Sequence, residues 1–98
     1  MQIDLGTLAS SQALYANSAK CEIDDDGTKY WRLNGKIHRT DGPAVEYADG
    51  SKSWWLNGKY HRTDGPAVEY ADGKEWWING IEYSEEDWQQ VKEVLWAI

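Results

Sequence analysis

The residues best suited to chemistry occur twice, as His38 with Asp41 and as His61 with Asp64. A histidine beside a carboxylate is what proton transfer and zinc binding require. The spacing matches no metal signature, however. The two pairs are also identical copies, whereas catalysis needs one asymmetric site whose members play distinct roles. A structural role is therefore expected, with His stacked on Trp and Asp holding a turn. Cys21 has no base near it in sequence, and its neighbours Glu22 and Asp24 repel a thiolate. Asp24-Asp25-Asp26-Gly27 has the opening of a calcium loop but lacks the later ligands and the closing Glu, so it reads as an acidic turn. The glycines fall in turns rather than in a phosphate loop opening a helix. No catalytic residue, metal or cofactor is expected, and the chain is not expected to be an enzyme.

Recognition chemistry is better supplied. The chain has seven Trp and six Tyr with no Phe, so every large ring carries a polar atom that needs a partner or water. Trp, Tyr and Arg are the residues that dominate interface energetics. Arg32, Arg39, Trp55, Tyr60, Arg62 and Trp77 are the expected partner-binding set.

These residues are positioned by an internal repeat. Leu33–Gly50 and Leu56–Gly73 match at 17 of 18 positions, differing only where Ile37 becomes Tyr60, with a period of 23 residues. A partial third copy runs from Asp72 to Tyr83, and Cys21-Glu22-Ile23 is a weak half copy before the first. Asn34-Gly35, Asn57-Gly58 and Asn79-Gly80 suit type I′ hairpin turns, as does Asp49-Gly50. Thr-Asp-Gly-Pro at 40–43 and 63–66 ends strands differently, because Pro has no N–H for a ladder. The expected fold is mainly β, an antiparallel meander of about seven strands with a C-terminal helix. Residues 1–25 would be an N-terminal segment, 26–83 the repeats and 84–98 the helix, all in one domain.

Pairing across these turns assigns faces. Trp31 with His38, Val45 with Trp54, Tyr47 with Lys52, and Trp76 with Tyr83 fall on an expected core side. Tyr30, Arg32, Ile37, Arg39, Trp55, Tyr60, Arg62 and Trp77 fall on the other. The third copy is one residue shorter after its Asp-Gly, so a three-residue loop Ala71-Asp72-Gly73 is expected to restore the register, pairing Tyr70 with Lys74 and Val68 with Trp76 on the core side. Trp31, Trp54 and Trp76 should then be more buried than Trp55 and Trp77.

Ser84 before Glu85, Glu86 and Asp87 predicts a capped helix whose stripe Trp88, Val91, Val94, Leu95 and Ile98 packs on the sheet, with Trp96 roughly opposite. Ala, Gln and Leu favour a short helix over residues 8–19. The net charge of −7 is concentrated in the flanks: residues 1–25, 26–48, 49–71 and 72–98 sum to −3, +1, 0 and −5. A single Cys and an N-terminus without a secretory pattern imply a soluble, cytoplasmic protein.

The run Trp54-x-Leu56-Asn57-Gly58-Lys59-x-His61, followed by Asp72-Gly73, resembles the MORN repeat, a 23-residue β-hairpin unit. It is also similar to the tryptophan-rich LNGKxHRxDGPA repeats of small phage, bacterial and large-virus proteins. The resemblance spans residues 26–83. It departs from MORN where Arg62-Thr63-Asp64-Gly65-Pro66 replaces Gly-x-Gly after the His. The resemblance implies scaffolding or self-association and, in a phage setting, action in the host cytoplasm. Phosphoinositide membranes, also implied, suit a chain at −7 poorly.

The expected function is thus a non-enzymatic protein-binding module, a small phage-type inhibitor of a host nuclease or defence complex such as an anti-CRISPR. Its partner would be a host or bacterial protein, with no membrane and no direct nucleic-acid contact. The alternatives are an acidic nucleic-acid mimic and a small-molecule binder that holds a nucleotide signal among Trp, Tyr and Arg.

Overall fold

The computed structural model describes residues 19–97, with side chains to residue 95. The helix expected over residues 8–19 lies outside them but for its last residue. Among the described residues ten short strands precede one helix: β1 (Lys20–Ile23), β2 (Lys29–Leu33), β3 (Lys36–Ile37), β4 (Val45–Glu46), β5 (Lys52–Ser53), β6 (Trp55–Leu56), β7 (Lys59–Tyr60), β8 (Val68–Tyr70), β9 (Gly73–Ile78), β10 (Ile81–Tyr83) and α1 (Glu85–Ala97). Seven of them form an antiparallel path β1-β2-β4-β5-β8-β9-β10, β3 joins at β2, and β6 and β7 make a separate ladder. The segments exceed the expected seven partly because β1 adds one. Residues 52–56 also split at Trp54, where pairing passes from β4 and β8 to β7.

Each repeat is a splayed hairpin. Lys29 and Tyr30 of β2 pair with β4, while Arg32 and Leu33 pair with β3, so residues 38–44 bridge two diverging ladders. The next repeat joins through the same bonds each time. The Arg39 N–H donates to the Trp55 carbonyl at 3.1 Å and the Gly58 N–H to that of Ile37 at 2.8 Å; their counterparts are Arg62 to Trp77 at 3.1 Å and Gly80 to Tyr60 at 2.9 Å.

All three Asn-Gly hairpins have the expected register, pairing Leu33 with Lys36, Leu56 with Lys59, and Ile78 with Ile81. Asn34, Asn57 and Asn79 have φ of 53°, 53° and 50°, and the glycines after them φ near 80°, as this turn demands.

The Asp-Gly end overturns the expected register. Val45 pairs with Ser53, not Trp54, and Val68 with Glu75, not Trp76. The three-residue loop belongs to the first copy, Ala48-Asp49-Gly50, closed by the Gly50 N–H to Tyr47 carbonyl bond with Gly50 at φ 93°. The third copy turns in two residues, Ala71-Asp72, with Tyr70 opposite Gly73. The shorter linker is compensated as anticipated, but at the opposite turn, which moves Val45 and Val68 to the other side of the sheet.

The two faces therefore differ from the expectation. Tyr30, Val45, Ser53, Val68 and Glu75 stand in one cross-strand row. By strand alternation this row shares its side with Trp55 and Trp77, and that side is called the ladder face below. The next row, Lys29, Glu46, Lys52, Glu69 and Lys74, alternates in charge and points to the side of Trp31, Trp54 and Trp76, the stack face.

The core consists of Ala44, Val45, Ala67, Val68, Ile78 and Trp88, with Ser53 fully buried between Val45 and Val68. Trp31, Trp54 and Trp76 are half-buried, and so are Trp55 and Trp77, so no indole of either set is enclosed. One thin sheet cannot enclose five indoles; small side chains at its centre disappear while large ones lie along its surfaces.

The helix begins as expected. The Ser84 Oγ accepts the Asp87 N–H at 3.2 Å, and the Ser84 carbonyl accepts the Trp88 N–H at 2.8 Å. The expected stripe holds only at its start: Trp88 is 3% exposed and Val91 half-buried, but Val94 and Leu95 are 59% and 44% exposed. The helix packs chiefly on β9 and β10, and its later turns pass beyond them. The side chains of Trp96 and Ile98 lie outside the described residues.

Candidate recognition surface

On the stack face each repeat builds the same cluster. The Arg39 guanidinium lies 3.9 Å from the Trp31 ring centroid, its Nε donates to Asp41 at 2.8 Å, and its Nη1 donates to the Pro43 carbonyl at 3.1 Å and to Glu46 at 3.4 Å. Arg62 repeats this over Trp54 at 3.7 Å, with Asp64 at 2.9 Å and with Pro66 and Glu69 at 3.0 Å. The glycine of the Thr-Asp-Gly-Pro segment covers the other side. A Cβ on Gly42 would meet the Arg39 Cζ at 3.1 Å, and one on Gly65 the Arg62 Cζ at 2.7 Å. Arg is thus held between an indole and a glycine backbone, which explains why Trp, Arg, Asp, Gly and Pro recur together. The guanidinium holds the Asp41 carboxyl below its ordinary pKa through its hydrogen bond and its charge.

The histidines bond to the backbone of the following repeat. The His38 Nδ1 accepts the Asn57 N–H at 3.0 Å, and the His61 Nδ1 accepts the Asn79 N–H at 3.1 Å, so each histidine pins the next repeat's hairpin turn. That lone pair is occupied, which removes it from metal or base chemistry. Burial lowers the His61 pKa, favouring the neutral ring that this bond requires. Among the described residues no group of three or more His, Cys, Asp or Glu could hold a metal. Asp24–Gly27 is a hairpin loop between β1 and β2. Its Asp26 carboxylate accepts the Thr28 N–H at 3.0 Å, a bond that lowers its pKa.

The last copy has no following Arg, and the helix supplies the substitute. Trp88 packs on Trp76 with centroids 4.6 Å apart, donates from Nε1 to the Arg62 carbonyl at 2.9 Å, and is covered in turn by Lys92 at 4.4 Å.

The ladder face is built differently. Trp55 and Tyr60 are cross-strand partners with ring centroids 4.1 Å apart, and Tyr60 lies 4.9 Å from Trp77, so three rings form one ridge across two repeats. The indole N–H groups are anchored beneath it, Trp55 to the Ser53 hydroxyl at 2.7 Å and Trp77 to Glu75 at 2.9 Å. The Tyr70 hydroxyl donates to the other Glu75 oxygen at 3.2 Å. Burial raises the pKa of Tyr60, and burial together with the Glu75 charge raises that of Tyr70, so both remain O–H donors.

Of the six expected binding residues, the structure brings Trp55, Tyr60 and Trp77 together and places Arg32 at the edge of the same face, paired with Glu22 at 3.5 Å. Arg39 and Arg62 are corrected: the chain bends after His38 and His61 and carries both guanidinia to the stack face. Tyr47 and Tyr70, assigned in the sequence to the core side with their valines, are 37% and 46% exposed at the ladder-face margin. The shifted Asp-Gly turn hid them, and the shortened third copy was the available signal.

No protein-family model, no curated protein and no solved structure matches this chain. Among the described residues no helix is long and apolar enough to cross a membrane.

Proposed function

We propose that the chain is a non-enzymatic protein-binding module whose ladder face docks on its partner. One observation carries this reading: along the leading strand of each hairpin the copies agree on the stack face, whereas the ladder-face positions of the hairpins differ from copy to copy, Trp55 and Trp77 apart. Equivalent stack-face positions read Trp31, Trp54, Trp76 and Lys29, Lys52, Lys74, with Leu33, Leu56, Ile78 nearly the same. Equivalent ladder-face positions read Tyr30, Ser53, Glu75, then Arg32, Trp55, Trp77, then Ile37, Tyr60, Glu82. Repetition serves the scaffold; an asymmetric surface is what a single partner requires. A partner protein in a bacterial host cytoplasm, as an inhibitor of a nuclease or defence complex, is the form of this reading that the repeat resemblance suggests.

The small-molecule alternative would use the stack-face cleft of about 280 Å3 beside Trp54, His61 and Arg62. Arg62 there already spends its Nε and Nη1 within the chain. The acidic-mimic alternative rests on the flanks. Partner capture from host lysate at low and high salt, with Trp55→Ala and Trp77→Ala against neutralised Asp24, Asp25, Glu85 and Glu86, separates the readings. Loss in the Trp variants at both salts supports the ladder face. Loss only in the acidic variants, with steep salt sensitivity, transfers the function to mimicry.

A further inference from the structure

We infer that the ladder face takes an extended, proline-rich segment bearing a basic residue, lying across the strands in the polyproline II conformation. This rests on the reading of that face as the docking surface and names the chemistry of what docks.

Spacing is the first argument. Trp55 and Trp77 are repeat-equivalent and separated by the strand of Tyr60; Tyr47 and Tyr70 are repeat-equivalent and separated by β5. Strands lie ~4.8 Å apart, so each pair is offset by ~9.6 Å across the sheet. A polyproline II chain rises ~3.1 Å per residue and presents the same side every third residue, at ~9.3 Å. An α-helix repeats at ~5.4 Å per turn and a strand at ~6.8 Å per two residues, and neither matches.

Ring geometry is the second. Trp55, Tyr60 and Trp77 lean on one another with interplanar angles of 38° and 43°. Their faces are largely spent on each other, which suits them poorly to stacking a base or a sugar. What each half-buried ring leaves exposed is apolar surface on which the compact ring of proline can pack. The face is also sparing in hydrogen bonds, because both indole N–H groups and the Tyr70 hydroxyl are committed. The hydroxyls of Tyr47 and Tyr60 make no hydrogen bond among the described residues. Polyproline II carbonyls have no internal partner and can accept such donors.

Charge sets the direction. Glu75 and Glu82 lie at the β9–β10 end, and Arg32, with Glu22, at the other. A basic residue on the segment belongs at the β9–β10 end.

The test is a tryptophan-fluorescence titration of the full chain with a synthetic peptide of about twelve residues, with proline at every third position and one terminal arginine. A second peptide has the same composition with its prolines at every second position, so that no two stand three residues apart. The first should bind saturably and the second roughly tenfold more weakly or worse. Tyr60→Ala, Trp77→Ala and the exposed Tyr47→Ser should each weaken the first by a similar factor, with circular dichroism showing retained folding. Glu82→Lys should weaken it only while the peptide arginine is present. Equal binding of the two peptides, no binding of either up to millimolar concentration, or indifference to all three aromatic changes overturns the inference. If the peptides fail but Trp55→Ala and Trp77→Ala still abolish capture of a folded partner, the docking face stands and only the proline-rich occupant falls. If capture too is unchanged, both fall.

Discussion

The two faces of this sheet use the same residue types to opposite ends. On the stack face an Arg beside a Trp is enclosed: both Arg39 and Arg62 are tied to an Asp, a Glu and a carbonyl and pressed between an indole and a glycine. On the ladder face Arg32 stands at the rim, and the rings of Trp55, Tyr60 and Trp77 are supported from below, lean on one another and stay half-buried. An Arg–Trp pair is therefore no guide to an interface until its hydrogen bonds have been counted. A cluster whose internal bonds are copied with it from unit to unit serves the unit.

The largest test of this contrast lies where the stack face ends. Trp88 is buried and closes the last indole as Arg closes the earlier ones. Trp88→Ala should cost about 3–5 kcal/mol in chemical denaturation and detach the helix, seen as lost helical circular dichroism. A loss below ~1 kcal/mol would show that the helix is an appendage rather than a cap.

A crossed pair of substitutions sharpens the division. Arg62→Ala removes a ring stack and three charge-assisted or carbonyl bonds, leaving Glu69 without its guanidinium, and should cost about 2–3 kcal/mol of stability. Partner affinity of the folded fraction should be unchanged. Trp77→Ala should do the reverse, lowering affinity about thirtyfold, or about 2 kcal/mol, with a smaller loss of stability. Denaturation curves and titrations on both variants decide; like behaviour in the two would erase the distinction between the faces.

How much of this the sequence revealed depended on how local the cause was. The Asn-Gly hairpins and the Ser84 cap were legible because each is determined by two to four adjacent residues. The Val45 and Val68 register was not, since Ala48-Asp49-Gly50 and Ala71-Asp72-Gly73 have the same composition, and only the ladder beyond decides which turn takes three residues. Arg39 and Arg62 were misplaced because alternation was carried past His38 and His61, where the backbone leaves the strand. The Trp–Arg–Gly sandwich was invisible for a related reason: its members, eight and three residues apart, are brought together by the bend after the histidine and not by the periodicity of one continuous element.

Three glycines turn that lesson into measurements. Gly65→Ala should destabilise by about 1–3 kcal/mol because its methyl group would drive Arg62 off Trp54, although no positive φ is involved. Gly50→Ala should cost about 1 kcal/mol for the left-handed conformation alone, at φ 93°. Gly73→Ala, with neither a near neighbour nor a positive φ, should be close to neutral. If Gly73 proved the costly turn position and Gly50 the free one, the assignment of the two Asp-Gly turns would be reversed, and with it the side on which Val45, Val68, Tyr47 and Tyr70 stand.

The smallest effect separates the faces by pH. His61 is half-buried on the stack face, burial lowers its pKa below the ordinary 6.5, and its Nδ1 accepts the Asn79 N–H only while unprotonated. The unfolded chain therefore binds a proton more readily than the folded one. The stability His61 contributes is present above about pH 6.5 and is lost as the pH falls through its lower folded value. Asp26, Asp41 and Asp49 have pKa values below 3.8 in the folded chain, so their contributions are lost only at more acid pH and leave the His61 window clear. Melting temperature should decline gently from neutral to about pH 5, and His61→Asn should flatten that decline. Partner affinity should hold steady across the same interval, because Tyr60 and Tyr70 are shifted upward, away from it. An affinity that fell in step with His61 protonation would place the histidine, and with it the stack face, in the contact with the partner.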